Sequence, residues 1–290
     1  MNFQNIINEI EKVDPEVYDK LDGRRAAMKN FANIGGKIAL AALPLALGSM
    51  FNKAYAGPSG TKDAITDVLN FALTLEYLES EFYKQGYAAA MAGNLAIPAG
   101  APMMAIQTIR DHEAAHVAFL KGAITAAGAT PVSFTAANFD YTAGGNFNSV
   151  FTDYGLFLAV AQTFEDTGVR AYKGQAGNLM SNKGVLNAAL NIHSVEARHA
   201  SHIRQMRKAN GALVPAGVDV KPWITLNQSG IGTTAVQASY DGEENTMQAG
   251  IQTVSINGFT AINANIASEG FDEPLTRDQV LAIVKPFIKG

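Results

Sequence analysis

A motif that occurs twice in the chain limits the possible folds more than any other feature of the sequence. The pattern L-x-x-A-x-T-x-E-x6-Y begins at Leu69 and again at Leu158, and each copy is followed by I-x3-E-A-x-H, beginning at Ile109 and at Ile192. A glycine lies fifteen residues after the glutamate of each second segment. Agreement across four segments indicates an internal duplication of one supersecondary unit. The apolar residues in these segments recur with helical spacing, so we predict two helical hairpins.

Ionisable residues lie on the apolar faces of the predicted helices. Residues three or four apart share a helix face, so Glu113 and His116 point the same way, as do Glu196 and His199. Burial of carboxylates is costly unless they are paired or bind a cation, which favours a metal site. Four glutamates and two histidines suit a pair of hard or borderline transition ions, iron or manganese. The candidate ligands are Glu76, Glu113, His116, Glu165, Glu196 and His199.

These residues resemble the ligand set of the ferritin-like di-iron and di-manganese carboxylate proteins, over about residues 62–212. That family places one Glu from each of two helices and Glu-x-x-His from each of two others inside a four-helix bundle. The resemblance implies that Glu76, Glu113 and His116 serve one half and Glu165, Glu196 and His199 the other. It also implies that the glutamates of the two Glu-x-x-His motifs bridge the ions.

Two further site interpretations stay open in the sequence. His112, Glu113 and His116 match H-E-x-x-H, the zinc-protease motif with two His ligands and Glu as general base. Glu79 lies one turn past Glu76 and is a second candidate ligand there, but the repeat favours Glu76, since the counterpart of Glu79 is Gly168. Tyr83 and Tyr172 lie two turns beyond their glutamates, where they could donate to ligand carboxylates, relay electrons or simply fill the core.

Composition excludes several other classes of protein. The 290 residues are 48% hydrophobic, enough for a sizeable core, and contain no cysteine, which removes disulfides, thiolate metal sites and cysteine catalysis. The net charge of −4 comes without a long basic run, so we predict no nucleic-acid partner.

The first 56 residues are typical of a leader. Arg24-Arg25 precedes an apolar stretch from Ile34 to Phe51, and Ala54-Tyr55-Ala56 is a small-x-small cleavage signal. The segment resembles a twin-arginine signal, so we expect export to the periplasm or beyond and a mature chain that starts at Gly57. We expect no stable membrane span after processing. An uncleaved N-terminal anchor helix is the alternative interpretation.

We predict an all-α core: a ferritin-like four-helix bundle over residues 57–214 with one long crossover, followed by an irregular C-terminal extension over residues 215–290 that ends in short helices. The predicted bundle helices span about 62–91, 102–128, 148–179 and 183–210, with Thr61 as the first N-cap. Asp166 and Arg170 are four residues apart and are predicted to form a surface pair.

The resemblance implies redox chemistry on ferrous iron, dioxygen or peroxide, of the ferroxidase, peroxidase or manganese-catalase type. Exported ferritin-like proteins associated with stress and desiccation are similar in leader, bundle and extension, so the expected role is protection of the cell envelope. The expected partners are metal ions and small oxidants, and the oligomeric state stays open. The alternatives are a structural or interaction protein with a non-redox or vestigial metal site and, second, the zinc metalloprotease.

Overall fold

Four long helices form the main body of the protein. The computed structural model describes residues 59–289, so the predicted leader, residues 1–56, lies outside the described residues. Two pairs of helices follow each other along the chain: α1 (Ser59–Met91), α2 (Ala101–Ala126), α3 (Tyr154–Ala176) and α4 (Lys183–Asn210). The predicted all-α bundle with one long crossover is therefore confirmed.

Capping residues explain where the second pair of helices begins and ends. The Asp153 side chain accepts from the backbone N–H of Leu156 and starts α3, so the prediction of a start near residue 148 was too early. The Asn182 side chain caps α4 in the same way. Gly211 ends α4 in the left-handed conformation (φ 73°), which glycine adopts without strain.

Helix α1 begins at Ser59, three residues before its predicted start at Lys62. Thr61 therefore lies within the helix and not at its N-cap.

Each helix packs most extensively on its neighbour in sequence, α1 on α2 and α3 on α4, and α1 also contacts α3. Phe82 lies at the centre of the aromatic part of the α1–α3 contact, stacked on Phe157 with ring centroids 4.8 Å apart. Phe164 meets the same ring edge-on. Because all three rings are buried, this cluster joins the two helical hairpins.

The crossover between α2 and α3 runs along the bundle as ordered chain. The Tyr141 hydroxyl donates to the carbonyl of Leu78 at 2.7 Å, and Phe139, Phe147 and Val150 are buried. The backbone N–H of Asp140 donates to the carbonyl of Phe287, so the crossover also holds the end of the chain.

The C-terminal extension (residues 215–289 of the described chain) contains short elements connected by irregular chain, as predicted. It has a two-stranded antiparallel ribbon and two short helices. The ordered elements are β1 (Met247–Gln248), β2 (Ile251–Gln252), α5 (Ala264–Ser268) and α6 (Arg277–Val284), with 3₁₀ turns at Thr234–Ser239, Ile256–Gly258 and Lys285–Phe287.

A buried ion pair and a buried hydrogen bond attach the extension to α3. Arg170 Nε lies 2.6 Å from Glu243 Oε1, and both side chains are 1% exposed. Arg204 of α4 donates to Asp166 of α3, and the hydroxyl of Tyr240 donates to the same carboxylate at 2.9 Å. The prediction that Asp166 and Arg170 form a surface pair was therefore wrong, because each is buried and finds its ionic partner elsewhere.

No helix among the described residues is both long enough and apolar enough to cross a bilayer.

Candidate metal centre

The structure brings the six predicted ligands together in the interior of the bundle. The four glutamates Glu76, Glu113, Glu165 and Glu196 are fully buried, one from each long helix. The two histidines lie at the same level on α2 and α4, and the His116 side chain is 12% exposed. Among the described residues, the acidic and histidine side chains form two overlapping groups whose ligand atoms lie within 4.8 Å of one another. The first group is Glu76, Glu113, His116 and Glu196, and the second is Glu113, Glu165, Glu196 and His199.

In the first group, three carboxylates surround the Nδ1 atom of His116. This atom lies 3.1 Å from Glu76 Oε2, 3.1 Å from Glu196 Oε1 and 3.5 Å from Glu113 Oε2. Glu76 belongs to this group alone, whereas Glu113 and Glu196 belong to both groups.

The second group repeats this arrangement around His199. Its Nδ1 atom lies 3.0 Å from Glu113 Oε1, 3.3 Å from Glu165 Oε2 and 3.8 Å from Glu196 Oε2. The duplication seen in the sequence is thus an approximate twofold repetition of the site.

Glu113 and Glu196 divide their oxygens between the groups. Glu113 presents Oε2 to His116 and Oε1 to His199, and Glu196 presents Oε1 to His116 and Oε2 to His199. Each of these two carboxylates therefore has one oxygen in each of the two adjacent ligand groups.

The two buried tyrosines hold the remaining glutamates, and each one crosses to the other half of the repeat. The Tyr83 hydroxyl donates to Glu165 Oε1 at 2.5 Å, and the Tyr172 hydroxyl donates to Glu76 Oε1. Burial and the neighbouring carboxylates raise the pKa of both phenols well above the usual value, so they remain protonated donors.

Burial and mutual repulsion set the protonation of the cluster. Burial raises the pKa of Glu76 to about 8 although His116 lowers it, and burial also raises the pKa of Glu165. Burial alone would raise the pKa of Glu196, but both histidines outweigh it and lower that pKa. The surrounding carboxylates raise the pKa of His116 and His199 against the effect of burial. Metal binding would release these imidazole protons, because a ligating nitrogen must be deprotonated.

The donor atoms fit a transition-metal site. Both oxygens of Glu113, both of Glu196, Glu165 Oε2 and His199 Nδ1 are buried without a hydrogen-bond partner. Buried polar atoms are normally satisfied, so a set of such atoms facing a common point is suited to hold a cation. Carboxylate oxygen and imidazole nitrogen are ligands that iron and manganese accept, and no thiolate is present to favour softer ions.

Glu79 is a fifth carboxyl group beside the centre. Its side chain is buried, and burial together with Glu196 and Glu113 raises its pKa well above the usual value. A Cβ built on Gly168 would lie 3.3 Å from Glu79 Oε1 and 3.7 Å from Glu196 Oε2. Gly168 is the repeat counterpart of Glu79. Because glycine has no side chain, it leaves the space into which the Glu79 carboxyl group points. Glu79 belongs to neither of the two compact groups.

His112 lies outside both groups and contacts the candidate ligand His199 on the side of its ring that faces away from the centre. Its Nδ1 atom is 3.0 Å from His199 Nε2, the nitrogen that faces away from the carboxylates. Burial and the neighbouring His199 lower the pKa of His112. In the H-E-x-x-H interpretation His112 and His116 would converge on one ion, whereas here the Nδ1 atom of His116 contacts the carboxylates and that of His112 contacts His199.

An apolar cavity adjoins the centre where all four helices meet. It is partly open to solvent, and its wall is almost entirely apolar. Tyr172, the donor to Glu76, forms part of the wall, together with Ala72 one turn before Glu76 and Ile192 one turn before Glu196. Sequence periodicity identified these apolar positions as core but gave no sign of the space between them.

Comparison with protein families agrees with the fold and the site. The model of the ferritin-like domain family matches residues 64–209, half of the chain, and this range contains all six candidate ligands. The chain therefore belongs to the ferritin-like family. Comparison with curated proteins and with solved structures finds no match.

Proposed function

We propose that the protein holds a dinuclear centre of iron or manganese and uses it for redox chemistry on ferrous iron, dioxygen or peroxide. The observation that carries the proposal is the division of the Glu113 and Glu196 oxygens between two ligand groups. A single-ion site would need only one such group. Glu76 with His116 would complete one half, and Glu165 with His199 the other.

The protein's own residues would keep the centre in place and limit what reaches it. Tyr83 and Tyr172 hold the two non-bridging glutamates by hydrogen bonds, which fixes the carboxylate orientation. Because the glutamates are fully buried, only a small molecule can approach, and the apolar cavity beside Tyr172 suits an uncharged one. Two bound transition ions would each supply one electron to such an oxidant.

The role that this chemistry would serve is protection of the cell envelope. Removal of peroxide or of free ferrous iron limits oxidative damage, including damage during drying. The twin-arginine-like leader supports placement outside the cytoplasm, because in the family that uses such signals proteins are exported after folding around a cofactor. The test is to replace Arg24 and Arg25 by Lys, which should leave precursor in the cytoplasm. Unchanged export would exclude this route, and a mature N-terminus at Met1 would show that the leader is not removed.

Metal content measured on purified protein tests the centre. We expect about two transition-metal ions per chain after reconstitution with Fe²⁺ or Mn²⁺ and removal of free metal. The double variant Glu113→Ala/Glu196→Ala should bind neither ion, since it lacks both shared ligands. Removing two buried carboxylates also relieves repulsion, so the variant should stay folded, and circular dichroism checks this.

A matched control separates the centre from the surface of the same helix. Asp111 is exposed on α2 two residues before Glu113, and Asp111→Ala should retain both ions. Two ions in the double variant would overturn the assignment. Redox function is tested separately by consumption of peroxide and dioxygen by the reconstituted protein. Full metal content without any consumption would favour the alternative, a structural protein with a non-redox metal site.

A further inference from the structure

We infer that His112 is a positioning residue: it accepts a hydrogen bond from His199 and holds that histidine with Nδ1 facing the metal centre. The inference rests on the proposed function, because it concerns how one of the proposed ligands is oriented.

The first observation is how the two rings meet. His112 Nδ1 and His199 Nε2 are 3.0 Å apart, whereas the ring centroids are 5.2 Å apart and the ring planes differ by 16°. Two nearly parallel rings with these separations meet edge to edge through the two nitrogens. The contact is therefore a nitrogen–nitrogen hydrogen bond and not face-to-face stacking.

The direction of this hydrogen bond follows from the other nitrogen of His199. Nδ1 of His199 faces oxygens of Glu113, Glu165 and Glu196 at 3.0–3.8 Å. A histidine that binds an ion through Nδ1 carries its proton on Nε2, so His199 must donate to His112. His112 then accepts at Nδ1 and carries its own proton on Nε2. Ligating histidines almost always donate their second N–H to such a partner, which fixes the tautomer and the ring orientation.

The second observation is an asymmetry in the duplication. When the two motifs are aligned on Glu113 and Glu196, the position of His112 is occupied by Val195. Valine accepts no hydrogen bond, so the repeat supplies His116 with no equivalent partner at that position. His112 therefore acts on one half of the centre, and its loss should affect the two ions unequally.

The test measures the affinity of both sites in three variants. Zn²⁺ binding to chelator-treated protein is followed by calorimetry, and Co²⁺ binding by its electronic absorption. His112→Ala should weaken one of the two sites by about 10–100-fold, the usual loss when a partner of a ligating histidine is removed. His112→Asn keeps an acceptor near the position of Nδ1 and should recover much of the affinity. His202→Ala is the control, since His202 is exposed on α4 three residues after His199.

A second measurement reports the tautomer without any enzymatic activity. Ring ¹⁵N shifts of Zn²⁺-loaded protein should show His199 bound through Nδ1 with a proton on Nε2, and should show His112 protonated on Nε2. A proton on Nδ1 of His112 would overturn the inference. So would two unchanged affinities in His112→Ala, or a loss that His112→Asn does not recover. If wild-type protein binds no ion at all, it is the proposed function that fails, and the two failures are therefore distinguishable.

Discussion

Replacement of Arg170 tests how strongly the C-terminal extension is bound to the bundle. Arg170 pairs with Glu243 and also donates to the backbone carbonyls of Ser239, Asp241 and Glu273, all in the extension. Arg170→Met would leave a buried carboxylate and three carbonyls without this donor. Removal of one partner from a buried pair costs about 3–5 kcal/mol. We expect a loss of that size in the free energy of unfolding at neutral pH.

The chain contains a matched control for burial. Lys208 Nζ lies 2.6 Å from Asp219 Oδ1, the same separation as in the Arg170–Glu243 pair, but both side chains are more than half exposed. Water screens such a pair, so it contributes little to stability. Lys208→Met should therefore change stability far less than Arg170→Met. Urea unfolding followed by circular dichroism reports the helices, and the fluorescence of Trp223 reports the extension.

The stability lost in Arg170→Met depends on pH, and the pKa of Glu243 determines the sign of this dependence. Burial raises the pKa of Glu243 to about 7 even though Arg170 lowers it, so the folded protein holds this proton where the unfolded chain, at 4.5, has lost it. The contribution of Glu243 to stability therefore falls between about pH 4.5 and pH 7 and then levels off. Without Arg170 the folded pKa is higher still, so the decline continues above pH 7 in the variant. The difference between the two proteins should grow there by at most about 1.4 kcal/mol per pH unit.

Two results would refute this reasoning. One is a loss in Arg170→Met no larger than that in Lys208→Met. The other is a difference from wild type that does not grow above pH 7. The double variant Arg170→Met/Glu243→Leu should recover part of the stability, because no buried carboxylate is then left without a partner. Its difference in stability from wild type should no longer grow above pH 7.

Two further predictions concern the helices and the centre. Gly86→Ala would place a Cβ 2.2 Å from a ring carbon of a phenylalanine on α3, so an overpacking cost of about 1–3 kcal/mol should outweigh the gain in helix propensity. In Gly122→Ala the new Cβ meets no atom within 4 Å, so this change should stabilise the protein by about 0.5–1 kcal/mol. Thermal unfolding of both variants checks this, and equal shifts would contradict the packing argument. Glu76→Ala and Glu165→Ala should each lower the metal content per chain, because each removes a glutamate that belongs to one ligand group alone. Unchanged metal content in both variants would contradict the assignment of the centre.

Local and repeated features of the chain were open to prediction from the sequence. Each Glu-x-x-His motif lies on one helix, so its two side chains share a face whatever the rest of the chain does. The repeat then indicated that Glu76 and Glu165 approach the same point from the other two helices. Their convergence in the structure follows from helical periodicity and from a duplication that constrains both halves alike.

Contacts made by distant and unrepeated residues could not be predicted in this way. Asp166 and Arg170 have the spacing of a surface pair, and only the folded extension buries them against Tyr240 and Glu243. Nothing in a local pattern specifies partners more than seventy residues away. The contact of His112 with a histidine of α4 was missed for the same reason, since the only local pattern containing His112 is H-E-x-x-H.

Gly168 and Glu79 occupy equivalent positions in the two halves of the repeat, and the two residues are complementary in size. A glycine inside a helix costs roughly 0.5–1 kcal/mol relative to alanine, yet α3 has one where α1 has a glutamate, and the glutamate points at it. A chimera of two first halves would bring a second carboxyl group towards the same interior, and one of two second halves would have none. At this position each half of the repeat is therefore fitted to the other and not to a copy of itself.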